Sequence, residues 1–375
     1  MIADLVIVGG GVIGWSVAHH LAQARPGRIV VVDAGKGSTE RATGGFRAQF
    51  ATEINVRLSL LSLEKLRTFQ TETGVDPGYA PAGYLFLTDT EEQRARLRAA
   101  MAVQHAAGYR AAVELEREEV LRRNPWLLPE GVQSAVFSPV DGFLRPLEIR
   151  RGFRQSALSQ GVAEVEGAVE AVRIRSGRIE EVRTARESIS CPQVVNAAGA
   201  WAGRLGALAG VKVPVVPLRR QVAVTVPTDA IPATAPMTIF SDGFHFRVRD
   251  RQVLLLLPSP GAADPFDVSV DPAWAKQVVA TAHRRVPALR RVPVASSYAG
   301  LYEMSPDEHA LLGPSDGLPD LFLVNGSSGH GVMHSPALGQ LAAEMLCGRQ
   351  TSLDVHALRP SRFREGQPNP DQPLL

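Results

Sequence analysis

From Leu5 to Val8 every residue is apolar, an unbroken run that reads as a strand. The run enters Gly9-Gly-Gly11-Val-Ile-Gly14 and then a stretch of helical character. A second apolar run, Ile29 to Val32, follows and closes on Asp33. Strand, glycine turn, helix and strand in that order predict a parallel βαβ unit. Further on, Val56, Leu60, Leu63, Leu66 and Phe69 recur at helical spacing over residues 55–71. Residues 83–88 read as a short buried strand, and 90–108 as a charged amphipathic helix carrying Leu97, Met101 and Val103. Residues 125–146 are loop-rich and 147–161 are helical in pattern.

The later chain changes character. Residues 163–169, 170–175 and 178–184 read as strands separated by turn signals such as Ser176-Gly177. Residues 194–199 form a buried strand meeting a turn of small residues, followed by a helix through Leu208. Residues 213–226, 237–249 and 252–257 read as strands of a largely antiparallel sheet, and 271–285 as a helix. A buried strand at 321–325, a glycine turn and a helix over 336–347 complete the pattern. The fold class expected is α/β with an α+β part: a Rossmann-like domain interrupted by a mostly antiparallel-sheet substrate domain. The nucleotide domain is assigned to 1–75, 145–212 and 299–358, and the substrate domain to 76–144 and 213–298. Residues 359–375, rich in proline and polar residues, are expected to be disordered.

Composition narrows the function classes. The formal net charge of the 375 residues is +2, which provides no field for nucleic acid or an anionic membrane. No run approaches the ~18 apolar residues that a membrane helix needs. The short apolar stretch at the N-terminus runs straight into the glycine turn, unlike a signal peptide. Cys191 and Cys347 are the two cysteines and form no C-x-x-C pair, so a disulfide framework is not expected and a reducing, cytoplasmic setting is. No H-x-H spacing or cysteine pair marks a metal site, so no metal is expected. A G-x-S-x-G elbow is missing too.

Gly9, Gly11 and Gly14 form a G-x-G-x-x-G dinucleotide fingerprint with Val12 and Ile13 opening the helix. Asp33 stands nineteen residues beyond Gly14, where an acid binds a ribose hydroxyl. Pyrophosphate is then expected at the helix N-terminus, whose unpaired N–H groups and dipole favour anions. The fingerprint by itself leaves NAD and FAD open.

Three further segments carry a resemblance. Val195-Asn-Ala-Ala-Gly-Ala-Trp-Ala202 resembles the VNAAGAWA motif of the FAD-dependent D-amino-acid-oxidase-like superfamily, of glycine/sarcosine oxidase type. Gly326-Ser-Ser-Gly-His-Gly-Val-Met333 resembles its GFSGHGFM motif, and Gly300-Leu-Tyr-Glu-Met-Ser-Pro-Asp307 its GLYEMTPD segment. Together with the fingerprint they span nearly the whole chain, to about Gly348. Within the superfamily, Gly44-Gly-Phe-Arg-Ala-Gln-Phe50 is similar to the GGIRQQF segment of sarcosine oxidase beta subunit-like and L-proline dehydrogenase beta subunit-like proteins.

The resemblance implies FAD. It places Asp33 and Ala34 at the adenosine ribose, the backbone of Val169 at the adenine, and Arg41, Ala42, Thr43, Gly44, Gly45 and Phe46 around pyrophosphate and ring. Ala197, Ala198, Gly199 and Trp201 would approach the cofactor closely, as would Gly300 and the turn of Gly326, Ser328, Gly329, His330, Gly331, Val332 and Met333. Small residues suit both turns, since backbone then reaches the ligand. Relatives of monomeric sarcosine oxidase type carry a flavin-linked cysteine where this chain has Leu301, so the FAD is expected to be non-covalent. They also carry a lysine at the position of Met333 and an oxygen-activating lysine on a central strand. The four lysines here, Lys36, Lys65, Lys212 and Lys276, leave that region empty, which favours a dehydrogenase with an acceptor other than oxygen.

The expected reaction is oxidation of a C–N bond beside a carboxylate, in a sarcosine-, proline- or opine-like substrate. The alternatives are an FAD-dependent 2-hydroxy-acid dehydrogenase and a flavin-bearing subunit or assembly factor that acts through partner proteins. A partner subunit or a homo-oligomer is expected. Arg47 is the candidate for polarising the flavin or holding the substrate carboxylate, since guanidinium matches carboxylate in bidentate fashion. His330, Tyr302 and His245 are the other catalytic candidates. His309, His334, Tyr84 and one of Arg219 and Arg220 are weaker ones.

Overall fold

The computed structural model describes residues 1–24, 27–35 and 37–370. Eight helices occur among them: α1 (Val12–Ala24), α2 (Glu53–Thr73), α3 (Glu91–Ala106), α4 (Arg117–Arg123), α5 (Pro146–Ser159), α6 (Ala202–Leu208), α7 (Pro272–Arg285) and α8 (Gly331–Leu346). A six-stranded sheet runs in the order Leu311–Ser315, Leu318–Asn325, Val194–Asn196, Leu5–Val8, Ile29–Asp33, Ala163–Glu166. Its neighbours are parallel except for the Leu311–Ser315 hairpin partner. The unbroken apolar runs have a simple cause. Leu5, Ile7, Ile29 and Val31 face the core shared with α1, α2, α5 and α8, while Val6, Val8, Val30 and Val32 face α6 and a three-stranded sheet of Val169–Arg175, Arg178–Thr184 and Ser188–Ser190. With a core on each side, period-two alternation has nothing polar to show.

The eight-stranded sheet runs Val294–Met304, Val216–Thr225, Gln252–Leu256, His245–Arg249, Met237–Ile239, Tyr84–Thr88, Ser134–Ser138, Val113–Glu116. It is antiparallel apart from the pairing of Met237–Ile239 with Tyr84–Thr88. One face packs Ala223, Phe246, Val253 and Leu255 on Trp274, Val278 and Ala282 of α7. Residues paired across the strands share the opposite face: Val222 with Leu256, Leu256 with His245, Leu254 with Arg247, Ile239 with Phe86 and Met237 with Tyr84.

Four expectations change. Residues 237–249 are two strands, broken at Asp242-Gly243, where Gly243 takes φ +81 and Phe240 N–H donates to Phe244 O at 2.8 Å. The loop-rich 125–146 segment holds the strands Ser134–Ser138 and Gly142–Phe143. The last helix begins at Gly331 rather than near Pro336, which lies inside it. Proline there cannot donate to the Val332 carbonyl, and the Ser335 hydroxyl donates to it instead at 2.9 Å. Finally, residues 359–370 are ordered. Arg362, fully buried, donates through Nε and Nη2 to both carboxylate oxygens of Asp307 at 2.8 and 2.9 Å, and Asn369 adds two further donors to the same carboxylate. The expected disorder of 371–375 lies outside the described residues. Among those described, no helix is long and apolar enough to cross a membrane.

Candidate active site

A long cleft of about 1110 Å³ lies between the six-stranded sheet and the inner face of the eight-stranded one. At one end its walls are main chain. Gly9 sits at φ +112 where a Cβ would collide with Ala197 O, and a Cβ on Gly14 would collide with Gly9 O. Both positions therefore require glycine for the strand to turn so sharply into α1. Asp33 folds over Gly10, whose missing Cβ leaves it room. Gly9, Gly11, Val12, Ile13 and Asp33 all line the cleft, whereas Gly14 is packing behind it. Thr39, unforeseen from sequence, caps α1 by accepting from Val12 N–H at 3.1 Å. Arg41, Ala42 and Thr43 line the same end.

Further along, Ala197, Ala198, Gly199 and Trp201 form one wall, and Gly300, Leu301, Tyr302 and Glu303 another. Gly329, Gly331 and Val332 bring the N-terminus of α8 to the cleft. Gly329, at φ +89, lies so close to the Tyr302 ring that a side chain would displace it. The other residues expected at the cofactor stand behind these walls. Gly44 and Gly45 pass beside Leu144 O and the Tyr84 hydroxyl, and Phe46 is buried against Tyr79. Gly326 packs on Ser305 and Leu311, Ser328 Oγ accepts from Ser305 N–H, and Met333 is core. Ala34 is exposed. Val169 is half-buried at the start of its strand, just beyond Gly167, whose N–H donates to Asp33 O at 2.8 Å.

Arg47 is not a wall of the cleft. It is 3% exposed, donates to Gln49 O at 2.5 Å, meets His330 Nε2 at 3.2 Å and stacks 4.1 Å over Phe50. Burial lowers its pKa to about 10, so it stays a cation at neutral pH. His330 caps α8 edge-on to Phe50, and burial together with Arg47 holds its pKa well below the ordinary value. His334 bonds Ser59, and His309 bonds Thr52 and Asp307 O, so neither is aimed at the cleft by its contacts. Of the arginine pair, Arg219 turns outward to Asp267 at 2.8 Å. Arg220 lines the cleft with its guanidinium 5.6 Å from the Tyr302 ring, and that guanidinium makes no ion pair or hydrogen bond among the described residues.

Arg247, which the sequence reading passed over, shares the inner face. It donates to Thr43 O at 2.5 Å and Gly44 O at 3.1 Å, stacks 3.6 Å over Phe143, and burial lowers its pKa to about 10. Its two-residue spacing from His245 was the available signal, since residues so spaced on a strand share a face. The His245 pKa is lowered to about 4, chiefly by burial. Its Nδ1 lies 2.9 Å from Gly243 O, a pure acceptor, so Nδ1 carries the proton and Nε2 is a bare lone pair. Glu303 was also missed. It is 9% exposed, Oε1 accepts from Ser327 N–H at 3.2 Å, Oε2 has no partner, and burial raises its pKa to about 7. Among the described residues, no group of histidine, cysteine, aspartate and glutamate is placed to hold a metal ion.

These features fit a flavin dinucleotide. A glycine cradle with a helix N-terminus suits pyrophosphate, an acid at its edge suits a ribose, and a second helix N-terminus with an orphaned carboxyl oxygen continues the cleft well past a dinucleotide's adenylate half. Comparison with known proteins agrees. The FAD dependent oxidoreductase family model matches residues 4–345. The chain is similar to FAD-dependent oxidoreductase domain-containing protein 1 of Xenopus laevis, 31% identical over 422 residues and covering 98% of this chain and 83% of that protein. It is also similar to the solved structure of L-proline dehydrogenase from P. horikoshii, with TM-score 0.91 and 29% identity over 98% of this chain and 99% of that one. Glycine oxidase from Geobacillus kaustophilus superposes with TM-score 0.85 at 25% identity, over 96% and 99%.

Proposed function

Because the chain belongs to the FAD dependent oxidoreductase family, we propose that it oxidises the C–N bond of a small amino acid, imino acid or secondary amine bearing a carboxylate. Relatives named as proline dehydrogenase, glycine oxidase and dimethylglycine dehydrogenase support that substrate class. The observation that carries it is the inner face of the eight-stranded sheet. Arg220, Arg247 and Arg47 bring three guanidinium groups there, and among the described residues none of the three is within ion-pair distance of an acid. Arg247 and Arg47 are committed to backbone carbonyls, which leaves Arg220 as the cation free to hold a substrate carboxylate. That role moves from Arg47, where sequence placed it, to Arg220; Arg47 instead fixes the segment beneath through Gln49 O and His330.

FAD, when bound, supplies the electron sink for the reaction. The chain supplies orientation and exclusion of water. Val222 and Leu256 beside Arg220 form a dry wall that favours the neutral, hydride-donating amine over the ammonium form. His245 Nε2 is available to accept an amine N–H; with a pKa near 4 it positions the amine rather than taking its proton. Non-covalent attachment is supported by Leu301 in the cleft and by the absence of Cys191 and Cys347 from its walls. An acceptor other than oxygen is supported by the lack of lysine among the described lining residues; Lys36 lies outside the described residues. The two free cysteines support a reducing, cytoplasmic setting.

An anaerobic screen of sarcosine, proline, N-methylated glycines, opines and 2-hydroxy acids, followed by flavin bleaching, tests the reading. Bleaching by amine substrates alone is expected, and bleaching by hydroxy acids alone overturns it. Faster turnover with oxygen than with an artificial dye overturns the dehydrogenase part. Arg220→Ala should lower kcat/KM by about a hundredfold while flavin stays bound, the loss expected of a bidentate charged pair.

A further inference from the structure

Glu303 has no part in the chemistry above, yet it is a buried carboxyl with an unsatisfied oxygen facing the cleft. Its strand, Val294–Met304, is the edge of the eight-stranded sheet, and successive side chains point to opposite faces. Tyr302 points toward Arg220 on the inner face of the larger sheet, and Glu303 points toward the Gly199 turn and the start of α8. A Cβ on Gly199 would lie 3.8 Å from Oε2, and one on Gly331 would lie 3.6 Å from Oε1. The carboxyl thus spans two side-chain-free turns. Ser327 N–H satisfies Oε1, and Oε2 is left between them without a donor. A buried carboxyl oxygen without a partner is costly, and natural sites rarely leave one without reason.

Ionised, the carboxylate only accepts, so the partner that suits Oε2 is a hydrogen-bond donor rather than a phosphate oxygen. Glu303 and Ile13 of α1 approach the same Gly331, so the carboxyl stands next to the phosphate-binding turn, where a flavin dinucleotide would carry its polyol chain. We propose that Glu303 is a cofactor contact, with Oε2 accepting a hydrogen bond from a hydroxyl of the polyol chain that joins the pyrophosphate to the flavin ring. The contact belongs to the flavin half of FAD and has no counterpart in an adenine nucleotide. It is independent of which substrate is oxidised.

The test measures FAD dissociation from the holoprotein on dilution, by recovery of flavin fluorescence, and ADP affinity by displacement of FAD. Glu303→Leu should raise the FAD Kd by about tenfold, the scale of one hydrogen bond to a charged or buried group. ADP affinity should stay within about twofold of the parent, which also reports that the nucleotide end remains folded. Glu303→Gln should recover most of the loss, since its amide keeps a polar partner at the Oε2 position while Ser327 N–H is still satisfied. Equal weakening of FAD and ADP would make Glu303 a structural residue and overturn the proposal, as would an unchanged FAD Kd in Glu303→Leu. Where Glu303→Leu does not accumulate folded, Glu303→Ala is read by the same FAD-to-ADP ratio.

Discussion

At the Gly9–Gly14 end of the cleft the walls are backbone and glycine, drawn from one stretch of chain. At the other end they are side chains from the Val294–Met304, Val216–Thr225 and Gln252–Leu256 strands, far apart in sequence. The first end recognises what every dinucleotide shares, phosphate and ribose, so N–H groups and one carboxylate suffice. The second must discriminate among small substrates, so it relies on placed cations and apolar surface. A backbone site tolerates almost no added atoms. A side-chain site tolerates exchange of its groups and changes what it accepts.

That contrast can be broken by substitution. Gly14→Val should have the largest effect, because its side chain would collide with the Gly9 carbonyl and leave no route for strand into helix. No folded, yellow protein is expected, and recovery of FAD-loaded protein would refute the collision argument. Arg362→Met comes next. Removing one partner of a buried pair costs about 3–5 kcal/mol, and here it strands Asp307 at the end of the segment that follows the Val294–Met304 strand. A denaturant titration should show that loss with an unchanged slope.

Asp33→Asn should be milder. It should raise the FAD Kd by about tenfold, one hydrogen bond to a charged group, yet leave substrate reduction by loaded protein unchanged. Arg220→Ala is expected to do the reverse. If each variant affected both properties, the two ends would not be separable.

The smallest effect concerns pH. Asp141 accepts from Ala48 N–H, Gln49 Nε2 and Tyr109 OH beneath the Arg47 segment, and burial raises its pKa to about 6. A carboxyl whose folded pKa lies above its unfolded value near 4 binds more protons when folded. Its contribution is full below pH 4 and is lost as pH rises through about 6. The melting temperature of Asp141→Asn should therefore vary less than the parent's between pH 4 and 7; identical profiles would remove Asp141 from this role.

The two ends also differ in how far they could be read from the chain. Gly9, Gly11, Asp33 and the apolar runs beside them are local, and their spacing carries the geometry. The start of α8 was misplaced by five residues because Pro336 looked like a beginning, and only the Ser335 hydroxyl in the fold explains how the helix tolerates it. The 359–370 segment reads as disordered by composition, yet Arg362 and Asn369 both tie it to the Asp307 carboxylate.

What the sequence determined, then, was the cofactor end: unbroken apolar runs, the glycine turn and the acid that follows are short-range features whose consequences are steric. The larger sheet was decided by tertiary structure. Arg219 and Arg220 are adjacent and chemically identical, and only strand register shows that one reaches Asp267 and the other the cleft. Glu303 was an unremarkable acid until burial left one of its oxygens facing the cleft without a donor. Which face a strand residue occupies depends on pairings with distant segments, and a one-residue shift in register reverses it.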